Sequence, residues 1–122
     1  MVVTGRVDDQ LRALLRVPMS ASVDGPRTEV EAWVDTAFNG GLAVPRAVAV
    51  GLGLTLEAAT EAVLADGSKV ALETFGCSFD WFGNTYRTQV IASDGAYALL
   101  GTQLLSGRRL MIDYIAGSVG LE

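Results

Sequence analysis

One feature limits the chemistry open to this 122-residue chain. The chain contains no histidine and only one cysteine, Cys77. Without histidine there is no Ser-His-Asp or Cys-His nucleophile and no histidine-ligated zinc site. A lone Cys77 has no base to activate it, so we expect a small buried hydrophobic residue there. Any catalysis has to come from carboxylates, hydroxyls, Lys69, arginines or backbone groups.

One carboxylate stands out by its position. The run "AWVDTAFNG", Ala32–Gly40, begins like a buried strand and ends like a turn, with Asp35 and Thr36 at the change. Asp is common in turns, and Thr36 could simply cap its own turn. The alternative is that the sheet presents Asp35 to a ligand or substrate.

The elements around this run are mostly short strands, separated by Gly, Asp and Pro turn signals. Pro45 and Gly51 bound a predicted short helix, and Gly107 caps a predicted helical turn at Thr102–Leu105. Strands are predicted at Leu11–Ser20, Thr28–Val34, Ala58–Leu64, Lys69–Gly83, Thr85–Ala92, Tyr97–Leu100 and Arg109–Ile115. Two of these segments, Leu11–Ser20 and Ala58–Leu64, could also be helical.

Charge and composition exclude several classes of function. Half of the residues are hydrophobic and the net charge is −5, so a nucleic-acid partner is not expected. The one adjacent basic pair, Arg108-Arg109, is interpreted as flanking a strand at a solvated edge. No apolar run reaches membrane-spanning length and the first residues do not look like a signal peptide. We therefore expect one domain over residues 1–122, in the cytoplasm, with no membrane partner.

Two motifs follow each other along the chain. The first is apolar-apolar-Asp-Thr-small, Trp33–Ala37. The second, some sixty residues later, is Leu99-Leu100-Gly101 followed by a short helix and a strand. A hairpin with a glycine-containing tip lies between them. This order resembles that of the retropepsin-like aspartic proteases, the retroviral proteases and their single-domain bacterial relatives, and the resemblance covers about Val30 to Tyr114, most of the chain.

The resemblance implies an all-β fold, a small closed β-barrel-like acid protease domain with one or two short helices, forming a C2 homodimer. Leu99 and Leu100 would pack behind the Asp35 loop, and Gly101 would leave room for the neighbouring chain to pass. The hairpin tip would be a flap over bound peptide, formed by Ala65, Asp66, Gly67 and Ser68. For Asp66, turn chemistry is the alternative to a substrate contact.

The implied activity is that of an aspartic endopeptidase acting on extended polypeptides, without metal or cofactor. Two carboxylates sharing a proton are needed, and the chain has one Asp-Thr-small triplet, so the second Asp35 would come from a second copy. Thr36 would fix the spacing of the two aspartates. Ala37 departs from the Gly that is usual there, which predicts a formed dimer with weak or narrowly selective proteolysis. The C-terminal segment, 111–122, would add strands to the dimer interface.

Two other functions remain open from the sequence. A protein with the same fold could be a dimerisation or peptide-binding module without catalytic activity. An unrelated acidic β-barrel adaptor would also have this composition. The distance between two Asp35 carboxylates in a dimer separates the enzyme from both alternatives.

Overall fold

The computed structural model describes all residues, 1–122, and places 55% of them in strands. In chain order the elements are β1 (Val3–Val7), β2 (Ala13–Ser20), β3 (Thr28–Val34), β4 (Leu42–Pro45), α1 (Arg46–Gly51), β5 (Thr55–Val63), β6 (Lys69–Trp81), β7 (Asn84–Ser93), β8 (Ala98–Leu100), α2 (Thr102–Leu105), β9 (Leu110–Asp113) and β10 (Ser118–Leu121). The helices have six and four residues, and neither could cross a membrane.

Six strands close into a barrel. The sheet runs β5-β6-β7-β4-β8-β3-β2-β1-β10-β9, and an additional pairing of β6 with β2, through Met19 and Phe79, joins its two halves. The closed ring therefore consists of β2, β3, β8, β4, β7 and β6. Leu15, Val44 and Leu100 are fully buried among its side chains. The all-β barrel with one or two short helices that the resemblance implies is confirmed, and the number of helices is two.

Strand β8 lies between two strands that are distant in sequence. It runs parallel to β3, with Leu99 opposite Trp33 and Leu100 opposite Val34, and antiparallel to β4, with Leu100 opposite Leu42. Strand β8 therefore pairs with both β3 and β4, and it fixes the end of β3, next to Asp35, within the barrel wall.

Local turn chemistry explains most element boundaries. The hairpin between β5 and β6 turns at Gly67, whose φ of +84° is accessible to glycine at little cost. Pro45 ends β4 and immediately precedes α1, and Gly107, with φ of +74°, follows α2. Both predicted helices are confirmed, and the segments of ambiguous periodicity, 11–20 and 58–64, form strands from Ala13 to Ser20 and up to Val63.

The C-terminal region differs from the prediction of a single last strand, Arg109–Ile115. Strand β9 ends at Asp113, whose carboxylate accepts the backbone N–H groups of Ile115 and Ala116 and so forms a turn. The chain returns as β10, which pairs with both β9 and β1. Strand β1 was not predicted, and β10 lies in the segment 111–122 that was expected to add strands to a dimer interface and not to pair with β1 of the same chain. The residues of this turn are largely apolar, so the sequence pattern did not indicate that the chain reverses direction here.

This hairpin also bears on the prediction that segment 111–122 adds strands to a dimer interface, which stays a prediction. Val119 and Leu121 of β10 are buried in the core of the single chain. Removing β10 would therefore expose apolar surface within one protomer, at a cost of about 1.5–3 kcal/mol for each buried side chain. Deletion of the tail is therefore expected to destabilise the single protomer, so folding has to be measured before any loss of association is interpreted.

Candidate active site

Asp35 lies where β3 ends and the chain begins to turn. Its backbone N–H donates to the Leu100 carbonyl (2.9 Å), and its own carbonyl accepts the N–H of Phe38 (3.1 Å). The first bond ties Asp35 to β8, and the second closes the turn. The residue is half-buried, so its carboxylate is positioned by the barrel but remains accessible.

The Asp35 carboxylate is oriented by its own loop. Its Oδ1 accepts the backbone N–H of Ala37 at 3.0 Å. Ala37 is not among the residues with positive φ, so its methyl group causes no backbone strain. Alanine at position 37 thus preserves the backbone donor to Asp35. The neighbouring Thr36 is exposed, and its hydroxyl makes no hydrogen bond within the chain.

The rest of the loop is attached to the start of α2. The N–H groups of Thr102 and Gln103 donate to the carbonyls of Phe38 (2.8 Å) and Gly40 (3.2 Å). The first N–H groups of a helix have no partner inside it, and here loop carbonyls satisfy them. The N–H of Gly101 adds a bond of 2.7 Å to the Gly41 carbonyl. The loop after Asp35 is therefore held by three consecutive backbone N–H groups, those of residues 101 to 103.

Gly101 is required by this close approach. A Cβ at this position would lie 2.2 Å from the Gly40 carbonyl oxygen and 2.7 Å from that of Phe38. Both contacts are with backbone atoms, which cannot rotate away as a side chain can. The chain for which Gly101 leaves room is thus the Asp35 loop of the same protomer.

Asp35 borders a cavity of about 360 Å³. Its lining residues are those of the two motifs: Trp33, Val34, Asp35, Thr36, Ala37 and Leu99. Trp33 is 40% exposed, so it forms a wall of this cavity instead of filling the core. The cavity therefore combines one carboxylate with an apolar wall.

Two residues that no sequence motif singles out, Tyr97 and Arg12, pack around Trp33. The Tyr97 ring meets Trp33 edge-on, with centroids 6.1 Å apart, and the Arg12 guanidinium lies 4.0 Å from the Tyr97 centroid. Asp8 pairs with Arg12 at 2.7 Å. Burial alone would raise the pKa of the Asp8 carboxyl, but hydrogen bonds from Arg12 hold it below its ordinary value. Nothing in the sequence pattern brings these distant residues together.

The hairpin tip shows what the Asp66 carboxylate does. Its Oδ1 accepts both the backbone N–H (2.9 Å) and the hydroxyl (2.6 Å) of Ser68. These bonds lower the pKa of the Asp66 carboxyl. The Leu64 N–H donates to the Ser68 carbonyl, and the turn passes through Ala65 and Gly67. Turn chemistry therefore accounts for Asp66, while strand β5 remains exposed along almost all of its length.

The other groups with possible chemistry lie apart from Asp35. No group of three or more Cys, Asp or Glu side chains is arranged to hold a metal ion. Cys77 is buried, its thiol donates to the Ser78 carbonyl, and burial raises its pKa. It is the small buried residue that the sequence predicts.

Comparisons with known proteins give structural neighbours alone, since no family model and no curated protein sequence matches the chain. A retropepsin-like aspartic protease from Rickettsia conorii superposes with a TM-score of 0.62 at 18% identity, covering 99% of this chain and 90% of the other. Simian foamy virus (mac) protease gives 0.55 at 18%, covering 75% and 90%. EIAV protease, solved with the inhibitor HBY-793, gives 0.57 at 16%, covering 80% and 88%. The fold of this chain is therefore that of the retropepsin-like aspartic proteases.

Proposed function

We propose that this protein is an aspartic endopeptidase that acts as a homodimer, with Asp35 of each copy forming the catalytic pair. The observation that carries the proposal is the position of Asp35. Its carboxylate is oriented by the Ala37 N–H, its backbone is tied to Leu100, and it borders an apolar cavity. The same fold is found in solved structures of aspartic proteases.

The chemistry requires two carboxyls that share one proton. The ionised carboxylate takes a proton from water as the water oxygen attacks the peptide carbonyl carbon, and the protonated carboxyl gives its proton to the carbonyl oxygen. When the tetrahedral intermediate collapses, the C–N bond breaks and the amine leaves with a proton from the pair. One Asp35 cannot be base and acid at once, so a second carboxylate is required.

A second copy of the chain is the proposed source of that carboxylate. Asp113, the last residue of β9, lacks the Asp-Thr-small pattern and uses its carboxylate in its own turn. A two-fold axis beside Asp35 would place two equivalent carboxylates together. The exposed Thr36 hydroxyl, without a partner in its own chain, would then bond to backbone of the second copy and set their spacing.

The proposed substrate is an extended polypeptide. Trp33 and Leu99 line the cavity beside Asp35, which favours an apolar side chain next to the cleaved bond. The exposed β5–β6 hairpin would act as the flap, since an unpaired strand edge binds peptide backbone by strand addition. Ala37 adds a methyl group to the cavity and so narrows the range of substrates. The free, buried Cys77 agrees with action in the cytoplasm.

The test is cleavage of an unstructured peptide library over about pH 3 to pH 8, read by mass spectrometry. We expect an optimum below neutrality, because one carboxyl of the pair must hold a proton. Cleavage confined to neutral or alkaline pH would contradict the proposal. A dimer that cleaves nothing at any pH would instead support the non-catalytic peptide-binding module.

Two partly exposed ion pairs make the stability of the fold depend on pH at the acidic end of this range. The pKa values of the Glu31 and Asp80 carboxyls lie below their ordinary values, because Arg6 and Arg27 donate hydrogen bonds to them. The unfolded chain therefore takes up protons first as the pH falls. The stability that these pairs add is present above about pH 4 and is lost as the pH falls further. Cleavage should decline in the same range.

A further inference from the structure

The end of the sheet beside Asp35 also carries two turns. The registers of neighbouring antiparallel strands place one residue from each of five strands in a single row: Trp33 of β3, Leu14 of β2, Arg6 of β1, Ser118 of β10 and Asp113 of β9. The chain segments that leave this row on the Asp35 side are the β1–β2 turn, residues 8–12, and the β9–β10 turn, residues 114–117. Both turns therefore lie at the same edge of the sheet as Asp35.

An aspartate carboxylate stabilises each turn, and a hydrogen bond joins the two turns. Asp8 Oδ1 accepts the backbone N–H of Arg12 at 2.9 Å, and Asp113 Oδ1 accepts backbone N–H groups in the second turn in the same way. The Val7 N–H, next to the first turn, donates to the Gly117 carbonyl of the second at 2.9 Å. The two turns thus form one continuous surface.

The side chains at the tips of these turns are apolar, although turns usually carry polar residues. Leu11 is 69% exposed, Tyr114 60% and Ile115 100%, and none of the three packs against the hydrophobic core. Leu11 also has a φ of +61°, a conformation that asparagine or glycine adopts more readily than leucine. Leucine is a poor choice for this position in an isolated chain, which favours a contact with another molecule.

We propose that these two turns are the surface by which a second copy of the chain binds, with Leu11, Tyr114 and Ile115 as its apolar contacts. The inference rests on the proposed function, which places a two-fold axis beside Asp35 at this edge of the sheet. Neighbouring strands are about 4.8 Å apart, so β1 lies about 10 Å from β3. The axis therefore brings the same edge of the second copy opposite these turns. Side chains of the turns make the contact, and no strand has to add to the partner's sheet.

The area that a stable dimer needs also favours this surface. A stable complex buries about 800 Å² of each partner, contributed by roughly 20–30 residues. The loop from Asp35 to Gly40 is too short to supply this area alone. The two turns extend it along the same edge and add three large apolar side chains.

The charges at this edge allow two acidic chains to approach each other. Asp8 forms an ion pair with Arg12 at 2.7 Å, and the Asp113 carboxylate accepts two backbone N–H groups. Asp9 is the one acidic side chain of the two turns that has neither an ion pair nor a hydrogen bond. The net charge of −5 is therefore carried mainly by other parts of the surface.

Substitutions to asparagine test the surface with little disturbance of the turns. Asparagine suits the positive φ at Leu11 and is a favoured turn residue at Ile115. Leu11→Asn and Ile115→Asn should each raise the dissociation constant of the dimer by at least about tenfold, because each removes a large apolar side chain from the contact. Sedimentation over a series of protein concentrations measures this constant.

Val50→Asn is the matched control. Val50 is also exposed and apolar, but it lies on α1, which follows the end of β4. Strand β4 runs antiparallel to β8, and β8 runs parallel to β3, so α1 lies at the opposite end of these strands from Asp35. This variant should dimerise as the parent does. Circular dichroism of all three variants should match that of the parent, which separates loss of association from loss of folding.

The outcomes separate this inference from the proposed function. A parent that dimerises through these turns but cleaves no peptide would support the inference and contradict the function. A parent that cleaves peptides, with turn variants that dimerise normally, would support the function and overturn the inference. A raised KM in Leu11→Asn with an unchanged dimer would also overturn it, since the turn would then contact substrate. Equal weakening by Val50→Asn, or a parent that stays a monomer at every concentration, would overturn it as well.

Discussion

Asp35→Asn is expected to abolish peptide cleavage and to leave the fold unchanged. The amide oxygen of asparagine keeps the acceptor for the Ala37 N–H, now filled at 3.0 Å by Asp35 Oδ1, so the loop should stay in place. The amide cannot exchange a proton with water or with its partner carboxyl. Positioned acid–base catalysis contributes on the order of 10²–10⁴-fold, so kcat/KM should fall by about that factor or more.

The measurement is kcat/KM for one peptide at the acidic optimum, with thermal unfolding as the check on folding. Asp24→Asn is the matched control, since Asp24 is exposed in the turn between β2 and β3 and makes no hydrogen bond through its side chain. It should cleave as the parent does. Cleavage that persists in Asp35→Asn would show that another group is the catalytic acid or base.

Gly101→Ala is expected to damage both stability and activity. The added methyl carbon would stand 2.2 Å from the Gly40 carbonyl oxygen, so the loop after Asp35 or the start of α2 has to move. Overpacking of this kind costs about 1–3 kcal/mol of unfolding free energy. A displacement of about 1 Å at a reacting group can lower the rate on the order of a hundredfold.

Gly51→Ala is the control for this substitution. Gly51 ends α1, and a Cβ there meets no atom within 4 Å. Alanine in a helix is favoured over glycine by about 0.5–1 kcal/mol, so this variant should be as stable as the parent or more so. Equal unfolding temperatures for Gly101→Ala and the parent would show that the loop is not held as described here.

The sequence predicts those parts of the site that depend on residues close together in the chain. An apolar strand that ends at Asp35, a turn after it and a second strand ending at Leu100 all follow from local pattern. The resemblance then placed the two strands side by side, and the parallel register of Trp33 with Leu99 agrees with it. The closed barrel was implied by the resemblance and not by the local pattern of strands and turns, which contains no signal for the pairing of β6 with β2.

The remainder depends on contacts between segments that no local pattern connects. Arg12 reaches Tyr97 because β2 and the start of β8 both border β3, which the sequence does not reveal. The pair Arg108-Arg109 was interpreted as solvated, and Arg109 does pair with Glu122 at the exposed end of the sheet. Arg108 turns instead to the Phe82 ring, so two adjacent arginines have different environments.

The central claim is that two copies of Asp35 form one site, and the most direct measurement is the distance between their carboxylates in a crystal of the protein. We predict a dimer in which a two-fold axis passes between the two Asp35 side chains. Their oxygens should lie about 3 Å apart, the distance at which two carboxyls share a proton. A monomer, or a dimer with the two Asp35 carboxylates far apart, would contradict the account.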